Sequence, residues 1–212
     1  MPKAAAAKTE SLYSVSPGVA MVQKWESELK GKTGRTLEEW IALVKKDGPK
    51  DEKGRREWLK TKHKVPTNSA FWIAECVDGK RDEFRGPEGY LEAAVRYVDE
   101  QYSGSKEKLR PIYDALLAKG KLVAPDVKAC PCKTIVPLYR NHVFAQIKPT
   151  TNTRVDLGLA LAHYKGKLPK RLVDTGGLAK KDRITHRIEI TSLTNIDADV
   201  DKWLKTAYDL DA

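Results

Sequence analysis

The sequence predicts an α+β protein: an all-helical N-terminal domain, then a mainly antiparallel four-stranded sheet with flanking helices. Three observations carry this. Apolar residues recur at helical spacing from Val19 to Leu117. The period then falls to two in four short, β-branched runs, "TIVPLYR", "HVFAQIK", "RVDLGLAL" and "RITHRIEI". A last helical pattern begins after Asp197.

Taken in order, residues 1–13 are small, polar and aperiodic and read as a disordered tail. Ser16-Pro17 marks a helix start, with proline at the first helical position. Val19, Val22, Trp25 and Leu29 form its apolar stripe, and Gly31 or Gly34 ends it. Thr36 with Glu39 three residues on is a capping box, opening a helix that Gly48-Pro49 stops. A third helix fits residues 51–63, and after Pro66 the apolar "SAFWIAECV" makes a fourth. Residues 14–80 therefore read as the helical domain and 81–88, dense in charge and glycine, as a linker. The α+β domain spans 89–212. Helices are expected at 87–102 and 105–119, a long basic loop at 162–182, and a closing helix from the Asp197 cap to about Leu210.

Composition narrows the function classes. Hydrophobic residues make up 41% of the 212, enough for a packed core. No apolar run reaches the 18 or so residues that span a membrane, so no membrane partner is expected. "MPKAAAAKTE" is too short for a signal-peptide core, and three cysteines make no disulfide framework; both point to a cytoplasmic address. The formal net charge is +10. It is concentrated: residues 128–190 hold 13 Lys/Arg against 4 Asp/Glu, a balance of +9. Such a segment suits a polyanion, nucleic acid among them, and equally a solvated basic surface.

Several motifs invite chemistry and fail on spacing. Gly31-Lys32-Thr33 ends like a phosphate-binding loop, but the leading glycine is replaced by Glu26 and a helix stands where a strand is required. Cys130-Pro131-Cys132 is C-x-C, short of the two spaced pairs of structural zinc. His63, His142, His163 and His186 show no metal-ligand spacing. The basic helix at 51–63 with the helix after it suggests helix-turn-helix, yet the second helix is too apolar to read base edges. No catalytic residue, metal or cofactor is expected.

Two stretches resemble known domains. "KTGRTLEEW…WLK…A" over residues 32–74 resembles the N-terminal domain of an uncharacterised two-domain bacterial family. "CPCKTIVPLYRNHVFAQIKPTTNTRVDLGLAL", "RITHRIEI" and "DVDKWLKTAY" are similar to that family's C-terminal domain. Both are domains of unknown function, the second sometimes labelled "predicted transport protein". The resemblance covers roughly residues 15–210 and implies the two-domain architecture. It supplies no reaction. Where the family has a glycine- and histidine-rich turn this chain has "KVPTNSA" at 64–70, so no role for those histidines transfers.

The strands give the candidate site. Alternation sends Val155, Leu157 and Leu159 inward with Val143, Ala145 and Ile147, and Ile184, His186, Ile188 and Ile190 share one face. Outward go Tyr139, Phe144, Gln146, Lys148, Arg154, Asp156, Arg187 and Glu189. Tyr139, Phe144, Lys148, Arg154 and Arg187, with His186, are the candidate binding residues, since aromatics among cations can stack bases and neutralise phosphates. Asp156 and Glu189 could instead pair with the arginines. The leading expectation is thus a binding or adaptor protein with a basic sheet face for an anionic partner. One alternative is an enzyme or small-ligand protein with a site at the interdomain junction. Another is a structural protein that dimerises through the sheet.

Overall fold

A computed structural model describes residues 12–80 and 82–212; the expectations for residues 1–11 and Arg81 lie outside them. The chain forms two compact units, Val15–Ala93 and a second from Ala94 to Ala212 that also takes in residues 12–14.

In the first unit, α1 (Pro17–Thr33) starts where Ser16 accepts the Gly18 amide. It stops at Gly34, whose φ of +81° is left-handed and whose N–H donates to the Lys30 carbonyl. The "GKT" threonine is part of this corner. Thr33 donates its hydroxyl to the Leu29 carbonyl and accepts from Trp40 Nε1 at 2.8 Å. The Thr36–Glu39 capping box is formed and opens α2 (Leu37–Asp47). Asp51 caps α3 (Glu52–His63). α4 (Thr67–Cys76) buries Ala70, Ile73 and Ala74 in one cluster with Leu29, Leu37, Trp40, Val44 and Leu59. Burying each of the larger aliphatics contributes about 1.5–3 kcal/mol. α4 is therefore a core helix. Arg55 on α3 is itself buried and donates to the carbonyls of Pro49, Lys50 and Ala74 and to Asp78. A 3-10 turn at Asp82–Phe84 precedes α5 (Pro87–Gln101), within which the two units divide.

The second unit is α+β, with six strands rather than four. After a 3-10 turn (Gly104–Leu109) and α6 (Arg110–Leu122) come β1 (Lys128–Ala129), β2 (Val136–Tyr139), β3 (Val143–Lys148) and β4 (Val155–Leu159). β5 (Val173–Asp174), β6 (His186–Ile190) and α7 (Ala198–Asp209) follow. The sheet order is β1-β2-β3-β4-β6-β5, every pair antiparallel. β1 and β5 are two residues long, too short to show a period in sequence.

On the inner face Val136, Leu138, Ala145, Ile147, Val155, Leu157, Leu159, Ile188 and Ile190 are fully buried. α6 and α7 pack against β3 and β4. Gly120 lets α6 come close: a Cβ there would stand 2.4 Å from Leu138 Cδ1. Tyr13, just ahead of the first unit, is buried in the second, its hydroxyl 3.0 Å from that of Tyr113.

Two residues depart from strict alternation. Phe144, expected on the outer face, is completely buried with its ring edge-on to Tyr208 of α7 at 5.5 Å. The cause is a β-bulge: Leu138 pairs with Ala145 but Tyr139 with Val143, leaving Phe144 as the extra residue. An unpaired residue in a bulge is re-aimed. Ile184, expected beside Ile188, precedes the strand and sits over Gly158 and Gln146 on the other face.

Candidate anion-binding site

The outer face is built by the far ends of β3, β4 and β6. Lys148 stands opposite Asp156, and Asp156 opposite Glu189. Arg154 Nε is 2.8 Å from Asp156 Oδ1, and its Nη1 is 2.9 Å from Glu189 Oε1. Arg187 Nη2 is 3.0 Å from the same Glu189 oxygen, and its Nε lies 3.6 Å from Asp156 Oδ2. Thr150 donates to Asp156 Oδ2 at 2.7 Å. The two arginines thus share two carboxylates in a closed tetrad. Asp156 is 7% exposed, so these pairs are screened less than surface ones.

Lys148 is different. It is exposed and makes no ion pair among the described residues. It borders a cleft of about 480 Å³ lined also by Lys106, Lys133, Ser103, Ser105, Thr134 and Thr150. Lys106 is fixed there by donating to the Pro149 carbonyl at 2.7 Å. The lining holds a single carboxylate, Glu100, which Arg96 approaches at 3.9 Å. Gln101, 8% exposed, forms part of the wall and donates Nε2 to the Cys132 carbonyl at 2.8 Å. Its Oε1 has no hydrogen-bond partner among the described residues. Three ammonium groups with the Ser105 and Thr134 hydroxyls make a donor-rich lining, the pattern that suits phosphate or sulfate oxygens, while the Ser103 and Thr150 hydroxyls donate to the Glu100 carbonyl and to Asp156.

Cys130-Pro131-Cys132, just before Lys133, is held by backbone bonds, Cys130 N–H to the Pro137 carbonyl and Cys132 N–H to the Ile135 carbonyl. None of the three cysteines is in a disulfide. Burial pushes the Cys130 thiol up to about 12 and raises that of Cys132. Neutral thiols are poor nucleophiles and poor metal ligands.

The six residues singled out in sequence separate in space. Lys148, Arg154 and Arg187 share the outer face. Tyr139 sits at the opposite end of the β2–β3 pair, about 16 Å from Lys148 by strand rise. It is half-buried, and burial first, then Cys130 and Cys132, raises its phenol pKa. His186 opens β6 opposite Leu159, with Nδ1 3.0 Å from the Thr185 hydroxyl. Phe144 is in the core. Lys106, Lys133 and Gln101, which complete the cleft, come from the α5–α6 turn, the β1–β2 connection and α5. No periodicity links those three segments, and only their contact in the fold reveals the site. Exposed Lys165, Lys167 and Lys170 lie in the basic loop and make no ion pair among the described residues.

A family model described as Domain of unknown function (DUF5655) matches residues 98–211, a span that contains every strand, α6, α7 and the whole lysine cleft. No curated protein and no solved structure matches the chain. Among the described residues no helix is long and apolar enough to cross a membrane.

Proposed function

Since this chain belongs, through more than half its length, to the family of unknown function DUF5655, we propose a role for that domain: binding a phosphate-bearing polyanion, nucleic acid being the foremost class. The chain acts as a non-enzymatic binding or adaptor protein. The observation that carries this reading is the meeting of Lys106, Lys133 and Lys148 with the Ser105 and Thr134 hydroxyls in one cleft. The exposed loop lysines extend the positive field beyond it, which speeds association and adds sequence-independent affinity. Arg154 and Arg187 have a different part here. Their charge is taken up by Asp156 and Glu189, so they shape the floor beside Lys148 instead of contacting phosphate. Three cysteines outside any disulfide fit a reducing, cytoplasmic setting. The helical unit, outside the matched span, is read as a separate domain that accompanies this one.

Fluorescence anisotropy with labelled single-stranded RNA, single-stranded DNA and duplex tests the proposal. Binding should weaken as salt rises, the slope of log K against log salt reporting the phosphates contacted. Absence of binding to all three at low salt refutes it, and binding that ignores salt refutes the phosphate basis.

A further inference from the structure

A second cleft in the same unit, of about 390 Å³, has a different chemistry. Its floor is apolar, with Ala207 and Leu210 at the end of α7. Leu178 projects over it and remains 65% exposed, a large apolar side chain beside apolar floor with nothing covering it. The rim carries Lys181 and Arg183 against Asp182 and Asp211. Volumes of about 300–1,000 Å³ are usual for small-molecule sites, and this cleft, with its apolar floor, falls within them.

The rim is held in place. Asp211, its carboxylate 3% exposed, accepts the His142 amide at 2.7 Å and Arg183 Nη2 at 2.5 Å, and His142 Nδ1 lies 3.1 Å away. Arg183 also gives Nε to the Val143 carbonyl at 3.2 Å. Two of its nitrogens are thereby anchored, while Nη1 has no protein partner among the described residues. Lys181 holds a left-handed backbone, φ +55°, in a turn closed by Asp182 N–H to the Gly177 carbonyl. Such a conformation costs a non-glycine residue energy and persists where surrounding structure enforces it.

The geometry points to a binding site for a small organic monoanion with an apolar body, a carboxylate on an aromatic or branched aliphatic frame. Arg183 Nη1 and the Lys181 ammonium would take the carboxylate, and the apolar body would lie on Ala207 and Leu210 under Leu178. The ion pairing selects a monoanion. Arg183 is paired with Asp211, whereas Lys181 makes no ion pair among the described residues, so the rim offers one unpaired ammonium to one negative charge.

Titrating the full-length ¹⁵N-labelled chain with naphthalene-2-carboxylate, and separately with neutral naphthalene-2-carboxamide, tests this by amide chemical shifts. The expected result is saturable shifts confined to residues 160–163, 178–183 and 207–211. The carboxylate should bind about tenfold more tightly than the amide, as one charge-assisted pair implies. Lys181→Gln should remove most of that preference, and Leu178→Ser should weaken both probes alike; the same spectra report that each variant is folded. Lys53→Gln, on the exposed surface of the helical unit, should leave the affinity for both probes unchanged. The proposal is overturned by shifts that do not saturate, by shifts centred elsewhere, by equal affinity for acid and amide, or by loss of binding in Lys53→Gln.

Discussion

Replacing Asp211 by asparagine keeps the shape of a buried anchor and removes its charge. The wild-type carboxylate receives donors on both oxygens, Arg183 on Oδ1 and the His142 amide on Oδ2, with His142 Nδ1 also at Oδ1. An asparagine can place its one oxygen on either side. Turned toward Arg183, it sets its amide against the His142 N–H; turned the other way, it leaves Arg183 facing another donor. Hydrogen bonds to charged groups contribute about 1.5–3 kcal/mol each when buried. Arg183 and the His142 ring, 46% and 65% exposed, recover water, so each lost bond takes the lower end or less. With one bond retained, about 2 kcal/mol should be lost. Burial raises the Asp211 pKa, but the His142 amide, then Arg183, outweigh it and leave the pKa below its ordinary value. A carboxyl depressed on folding stabilises above its unfolded pKa, about 3.9, and that stabilisation is lost as pH falls through the folded pKa. The gap between wild type and Asp211→Asn should therefore hold from about pH 5 to 8 and close below about pH 4. Urea unfolding, read by amide exchange in β3 and β4 so that the two units are followed apart, should show a midpoint lowered by about 1 M. A midpoint within about 0.2 M of wild type at pH 7 would refute the reasoning, as would a gap that widened in acid.

Other consequences are as direct. Gly120→Val should destabilise the second unit by about 1–3 kcal/mol, because its side chain meets the fully buried Leu138; calorimetry would register a lower Tm. Arg55→Leu leaves three carbonyls and Asp78 without their donor and should cost the helical unit about 2–4 kcal/mol in urea unfolding. Glu189→Gln should strengthen polyanion binding at low salt by loosening Arg154 and Arg187, and anisotropy would detect the gain.

Much of this architecture was legible because local chemistry and tertiary fold agree. Ser16, Thr36 and Asp197 all cap the helices their positions announce, and the buried isoleucines, valines and leucines of β3, β4 and β6 follow the period of two. What escaped depends on pairing between distant residues. β1 and β5 exist only because β2 and β6 offer them an edge. The bulge that turns Phe144 inward is a mismatch between two strands, which neither strand's sequence contains. At the site, the charge-rich segment was visible, but its division was not. Whether an arginine is neutralised depends on cross-strand register, which sets Asp156 opposite Glu189 and so gives both arginines their carboxylates. Lys106 reaches the cleft from before α6, where its spacing marks it only as another helix-surface lysine.

The central claim is that polyanion affinity resides in the lysine cleft and not in the paired arginines. The decisive measurement is the salt dependence of single-stranded RNA binding by anisotropy for wild type, the double variant Lys106→Gln/Lys148→Gln, and Arg154→Gln. The account predicts that the lysine variant binds more weakly and loses about 1.4 from the slope of log K against log salt, while Arg154→Gln keeps the wild-type slope. An unchanged slope in the lysine variant, with the loss falling on Arg154→Gln, would contradict it.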